Sequence, residues 1–220
     1  RGTANPRSVG DQFGFSLIEL LVVVGIFVLL MTIAIPSFSN FGRAQGVTEA
    51  SYQVAAAIEQ ARSEAIARSG YVWLAIEDEV EAGTRQLRLG IALVKDSNPT
   101  NLSSENLQPL IKPMTIQRVG LANSQTPEIA GGEELSSHTG GATFQVGKAR
   151  FQKGCSLLFA PTGEVSLTAP SSRDDFRFDP LIAIGIQAAR GANNLDSKNY
   201  ADIGIDGSTG ICQIYRPMSQ

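Results

Sequence analysis

Gly14-Phe15-Ser16-Leu17-Ile18-Glu19 opens an apolar run that continues through residues 20–35. One carboxylate, Glu19, stands inside it, and residues 20–42 carry no charge. About 20 apolar residues span a bilayer as a helix, and residues 15–35 meet that length. A carboxylate so placed costs roughly 2.5–3.5 kcal/mol on insertion scales and marks a functional position by default. Glu19 therefore asks for a partner.

Three readings of this N-terminus compete. A cleaved secretory signal has an apolar core of only about 7–15 residues before its cut site, and this run is longer, with helical sequence continuing past it. A plain membrane anchor fits the length but leaves Glu19 and the Gly14-Phe15 junction unexplained. The third reading makes residues 1–14 a leader, cut between Gly14 and Phe15, with the apolar segment kept on the mature chain. Arg1 and Arg7 against Asp11 make that leader mildly basic, which suits a cytoplasmic flank. The chain begins at Arg1 rather than Met, so the leader is expected to start further upstream than residue 1.

The ordered set Gly14-Phe15-Ser16-Leu17-Ile18-Glu19-Leu20-Leu21-Val22-Val23 resembles the cleavage and methylation segment of type IV prepilins and type II secretion pseudopilins. The resemblance implies that a prepilin peptidase cuts after Gly14 and methylates the new amine of Phe15. It implies that Glu19 pairs with the N-terminal amine of a neighbouring pilin or pseudopilin during assembly. Pairing fits the physics, because a buried carboxylate and a buried ammonium are each costly alone. Pro36 falls where such proteins carry a helix-kinking proline. The organisation so implied is a leader at 1–14, a transmembrane and filament-core helix at 15–41, its amphipathic second half at 42–69, and a periplasmic β domain at 70–220. The inner membrane is the expected location.

The helix continues beyond the apolar run. Val47, Ser51, Val54, Ile58, Ala61 and Ala65 recur at spacings of three and four, a stripe on one helix face. Pro36 should kink the helix, since proline lacks an N–H and clashes with the preceding turn. Arg68, Ser69 and Gly70 form an expected C-terminal stop. Strands follow. They are expected at 71–76 and 86–94 around an acidic link at 77–81, at 111–119 as an edge, and at 155–160 and 164–167 around Pro161-Thr162-Gly163. Further strands are expected at 182–187, and at 201–205 and 211–215 around a Gly-rich turn. Residues 95–109 and 122–141 read as loops. A long helix followed only by strands is an α+β class, and here a pilin-like architecture: a long N-terminal helix packed on an antiparallel β domain. Leu158-Phe159-Ala160-Pro161-Thr162-Gly163-Glu164-Val165 is similar to the turn of the GspH/FimT group of minor pilins and pseudopilins.

Cys155 and Cys212 both fall at strand positions. An oxidising compartment permits a disulfide between them, and two buried thiols are the alternative. Enzyme chemistry finds little support. His138, the single histidine, lies in a small-residue loop. No zinc-ligand spacing and no phosphate-cradling glycine loop is present. Asp174, Asp175 and Asp179 lack the ordered spacing of a known calcium loop. No cofactor or metal is expected. The rival function is DNA binding, since some FimT-like minor pilins act in DNA uptake. Lys148, Arg150 and Lys153, interleaved with Phe144 and Phe151, form a small basic cluster, and Arg216 lies near the tail. DNA affinity grows with the number of phosphates neutralised, so this few cations on a chain of net charge −3 predict weak binding at most. The expected role is therefore structural: a minor pilin or pseudopilin at the tip or initiating complex of a type IV pilus or type II secretion pseudopilus.

Overall fold

The computed structural model describes residues 17–137, 144–146, 149–151, 156–168, 170, 172 and 175–216, with 32–45, 137 and 144 as backbone alone. The chain divides into two compact units, Arg1–Phe41 and Gly42–Gln220. The boundary falls inside the helix α1 (Leu17–Arg68). Residues 42–69, the second half of the helix, group with residues 70–220 in the second unit.

In the first unit α1 begins with Glu19 in its opening turn, where a negative charge complements the helix dipole. The leucines, valines and isoleucines from Leu17 to Met31 are exposed all round the helix. Among the described residues no helix is long and apolar enough to cross a membrane; the described side chains of this run end at Met31, while its sequence continues to Ile35. Pro36 lies within unbroken helical backbone.

In the second unit the stripe of α1 is buried as expected. Val47, Ser51, Val54, Ile58, Ala61 and Ala65 are all sealed from solvent. The helix ends in a double-bonded cap: the Gly70 N–H donates to the Ala65 carbonyl at 3.1 Å, and the Ser69 N–H to that of Ile66 at 3.2 Å. Ser69, at φ +48°, takes the left-handed position that glycine usually fills.

Two sheets and a small hairpin follow. Sheet one has the order β10-β9-β1-β2-β3, built from β1 (Val72–Glu81), β2 (Thr84–Val94), β3 (Leu107–Pro109), β9 (Ser156–Phe159) and β10 (Val165–Ser166). The short β4 (Met114–Gln117) also pairs with β2. Sheet two has the order β13-β12-β11-β5, from β5 (Val119–Ala122), β11 (Leu181–Arg190), β12 (Asn194–Asp206) and β13 (Cys212–Tyr215). Here β6 (Glu133–Glu134) runs parallel to β11. The remaining pair is β7 (Phe144–Val146) with β8 (Ala149–Phe151).

One continuous core joins α1 to an inner face of each sheet. Val54, Ile58 and Ala61 pack in the same cluster as Leu74 and Leu89 of sheet one and Ile184 and Ile203 of sheet two. A second, smaller core lies on the other face of sheet one, where Trp73, Ala92 and Leu158 meet Phe151. Gly90 makes that contact possible, since a Cβ there would lie 2.5 Å from the Phe151 ring.

Several segments differ from expectation. The acidic link at 77–81 is strand, and the turn is Ala82-Gly83, both at positive φ, as a two-residue hairpin turn requires. The run stays extended because β2 answers its charges. Arg85 grips Asp78 through Nη2 at 2.8 Å, and Arg88 pairs with Glu77 and Glu79. The single strand expected at 111–119 is two strands in different sheets. The break is Arg118, at φ +63°. Its N–H donates to the Arg85 carbonyl in sheet one, and its own carbonyl accepts the Ala189 N–H in sheet two, both at 2.8 Å. Asp78 reinforces this crossing by accepting the Leu121 N–H at 2.8 Å. The presumed loops carry β3, β6 and two 3-10 turns, Pro127–Ile129 and Leu135–Ser137. β12 begins at Asn194, well before the expected 201. The hairpin around Pro161-Thr162-Gly163 is present as β9 and β10.

Candidate functional site

The chemistry-bearing stretch of the sequence is the N-terminal segment. Gly14 and Phe15, the expected cleavage and methylation positions, lie outside the described residues. Glu19 is described and exposed in the first turn of α1. It stands among Leu17, Ile18, Leu20 and Leu21, each well over half exposed. An apolar helix surface of this extent marks a lipid or protein contact.

Residues 10–35 match the prokaryotic N-terminal methylation motif. The motif fits type IV pilin-like proteins, and it supports processing by prepilin peptidase and assembly with other pilins. It spans the Gly14-Phe15 junction, Glu19 and the apolar run, and ends one residue before Pro36. No curated protein and no solved structure matches the chain. The element order of helix then largely antiparallel strands is consistent with a pilin-like α+β fold.

Behind the methylation motif, the helix is fastened to the β domain at three levels along the β12–β13 hairpin. Arg216, just past β13, donates to the Thr48 hydroxyl. The Cys212 thiol points at the Ala55 carbonyl and the Glu59 carboxylate, at 3.9 and 3.8 Å. Arg62 Nε donates to the Thr209 carbonyl at 2.6 Å. Cys212 is a free thiol. Burial, joined by the negative charge of Glu59, pushes it up to about 11. Cys155, the partner expected for a disulfide, lies outside the described residues, as do His138 and Asp174.

Of the four basic residues, the two that are described, Arg150 and Arg216, lie apart. Lys148 and Lys153 are outside the described residues. Arg150 is exposed on β8, over the face of sheet one turned away from α1, and its carbonyl accepts from Arg88 Nη2 at 2.7 Å. Arg216 is held on α1, across that sheet. Phe151 is 1 % exposed and lies beneath the Arg88 guanidinium, 5.1 Å from its ring centre. It is a core side chain and offers no face for stacking on a base.

Among the described residues no group of three or more His, Cys, Asp and Glu comes together. A pair does, the buried Asp202 and the half-buried Glu134, and neither is among the residues singled out from the sequence. Asp202 and Glu134 meet beneath the segment that follows β5, each accepting its backbone N–H groups. Burial raises the Glu134 carboxyl above its ordinary value; the Ser124 N–H opposes this, and the charge of Asp202 adds to it. The sequence carries no local signal for the pair, because Asp202 alternates with Ala201, Ile203 and Ile205 as a solvent-facing residue would.

Proposed function

We propose that this chain is a minor pilin or pseudopilin of the GspH/FimT kind, a structural subunit at the tip or initiating complex of a type IV pilus or type II secretion pseudopilus. The observation that carries the reading is the methylation motif at residues 10–35, leading into a long helix that ends in an antiparallel β domain. In this reading a prepilin peptidase removes residues 1–14 and methylates Phe15. Residues 15–35 hold the chain in the inner membrane until assembly, with the β domain in the periplasm. Insertion then exchanges lipid for helix contacts along the exposed face of Leu17–Met31. Glu19 pairs with the amine of a neighbouring subunit, each charge offsetting the desolvation of the other. That pairing sets the axial register. The chain has no catalytic role in this account.

Intact-mass and N-terminal analysis of the protein from cells with and without prepilin peptidase tests the proposal. A chain starting at methylated Phe15, found only with the peptidase, is the expected result. A chain still carrying residues 1–14 in both cells would overturn it and leave an ordinary anchored β domain.

A further inference from the structure

The outer face of sheet two holds a group of oxygen atoms whose bonding is incomplete. Ala201, Ile203 and Ile205 of β12 point into the main core, so Asp202 points to the opposite face. It stands across from Gly185 of β11 and Tyr215 of β13. The side chain is nevertheless 1 % exposed, because the segment after β5 lies over it. Asp202 Oδ2 accepts the N–H groups of Gln125 and Thr126 at 2.8 Å each, and the Thr126 hydroxyl at 2.6 Å. The preceding amide, Ser124, donates to both carboxylate oxygens of Glu134 at 3.0 Å. Three consecutive backbone N–H groups therefore hold two carboxylates side by side.

Two atoms in this group are buried without any hydrogen-bond partner: Asp202 Oδ1 and Ser124 Oγ. A buried carboxylate oxygen without a donor is costly, and such atoms usually mark a bound water or ion. Gly185 adds a second observation. A Cβ at that position would lie 2.4 Å from the Ala122 carbonyl oxygen and 2.9 Å from that of Asn123. The absence of a side chain lets main-chain carbonyls come down onto the sheet beside Asp202, on the face that Asp202 occupies.

We propose that this group is a site for one hard divalent cation of the calcium class, with Asp202 Oδ1, Ser124 Oγ and the Glu134 carboxylate as ligands and the Asn123 carbonyl as a further donor. All its donors are oxygens, which excludes the preference for nitrogen and sulfur shown by zinc and copper. Calcium accepts mixed carboxylate, hydroxyl and carbonyl ligands in irregular geometry, whereas magnesium demands a near-ideal octahedron and keeps its waters. The cation ties the segment that carries β5 and β6 onto β12. It also completes the bonding of both orphaned oxygens and screens the two carboxylates from each other. The site is independent of the filament reading, since it lies wholly within the β domain.

The test uses the full chain in detergent, stripped with EDTA and titrated with calcium chloride, magnesium chloride or neither. Unfolding is followed by the fluorescence of Trp73, the single tryptophan. Calcium should raise the midpoint by about 5 °C at concentrations far above its dissociation constant, and calorimetry should show one calcium per chain. Magnesium should do much less. Ser124→Ala and Glu134→Gln should fold in EDTA and bind calcium about 10–100-fold more weakly or worse. An unchanged midpoint with calcium in the native chain would overturn the proposal and leave a buried water as the partner of the orphaned oxygens. So would a calcium response that both variants retain in full.

Discussion

Replacing Ile58 by alanine tests whether the second half of α1 is part of the β-domain core. Ile58 is fully buried in the cluster that takes side chains from both sheets. The change removes three methyl or methylene groups, and at about 0.8 kcal/mol each the transfer loss is about 2.4 kcal/mol. The cavity left in a core clamped between two sheets raises this to about 3–4 kcal/mol. Alanine returns about 0.4 kcal/mol through its better helix propensity, leaving a net loss of about 3 kcal/mol. For a domain of this size that lowers the melting midpoint by about 6–12 °C. Thermal or urea unfolding followed through Trp73 measures it directly. Tyr52→Ala, at a position 64 % exposed on the same helix, is the control and should cost less than about 0.5 kcal/mol. A shift below about 2 °C for Ile58→Ala, or equal shifts for the two variants, would refute the embedded helix.

Glycine substitutions should rank by what their Cβ meets. Gly207→Ala places it 1.6 Å from the Asp179 carbonyl oxygen, which is backbone, while Gly90→Ala meets only the movable Phe151 ring at 2.5 Å; the first should cost about 3 kcal/mol or more and the second about 1–3. Denaturant unfolding gives the order, and the reverse order would count against the register at these sites. The Cys212 thiol, pushed up to about 11, should react with iodoacetamide at pH 8 some hundredfold more slowly than in the unfolded chain, because only the thiolate attacks. Its folded value exceeds its unfolded one, so its contribution to stability is complete below about pH 9 and is lost as pH rises towards 11; Cys212→Ser should remove that part of the alkaline decline. Glu19→Ala should leave membrane insertion intact and impair entry into a filament, scored by fractionation and by sheared filaments; normal assembly would remove the proposed pairing.

The helix was readable because its two signals are local. A long apolar run with Glu19 as its single charge and a three-four stripe of Val47, Val54, Ile58 and Ala61 need no knowledge of distant residues. The β9–β10 turn was readable for the same reason, since Pro161-Thr162-Gly163 carries its own backbone preferences. What escaped was set by partners far away in sequence. Residues 77–81 look like a solvated acidic turn until Arg85 and Arg88 are placed across from them. Arg118 carries no sign in its own neighbourhood that it passes from one sheet to the other. Its left-handed backbone is held by bonds to Arg85 and Ala189, on strands more than thirty and seventy residues apart from one or the other neighbour. Asp202 alternates with isoleucines as a solvent-facing residue would, and only the covering segment makes it a buried acid.

The placement of the unit boundary at residue 42 changes how the chain's two halves relate to function. The sequence divides the helix at 41, into a filament-core half and an amphipathic half expected to pack on the β domain. The core shows how deeply that second half is embedded. From Val47 to Ala65 the helix supplies a full face to a cluster shared by both sheets, and three bonds from the β12–β13 hairpin fasten it at Thr48, Glu59 and Arg62. Removing residues 42–69 would uncover the inner faces of two sheets at once, a loss far beyond the 5–15 kcal/mol that holds most domains together. The first unit shows the opposite pattern. Its described apolar side chains, from Leu17 to Met31, are all exposed and take no part in either core. On the proposed reading, this exposed apolar surface, which lies within the methylation motif, has its energetic reason outside the chain, in lipid or in other subunits.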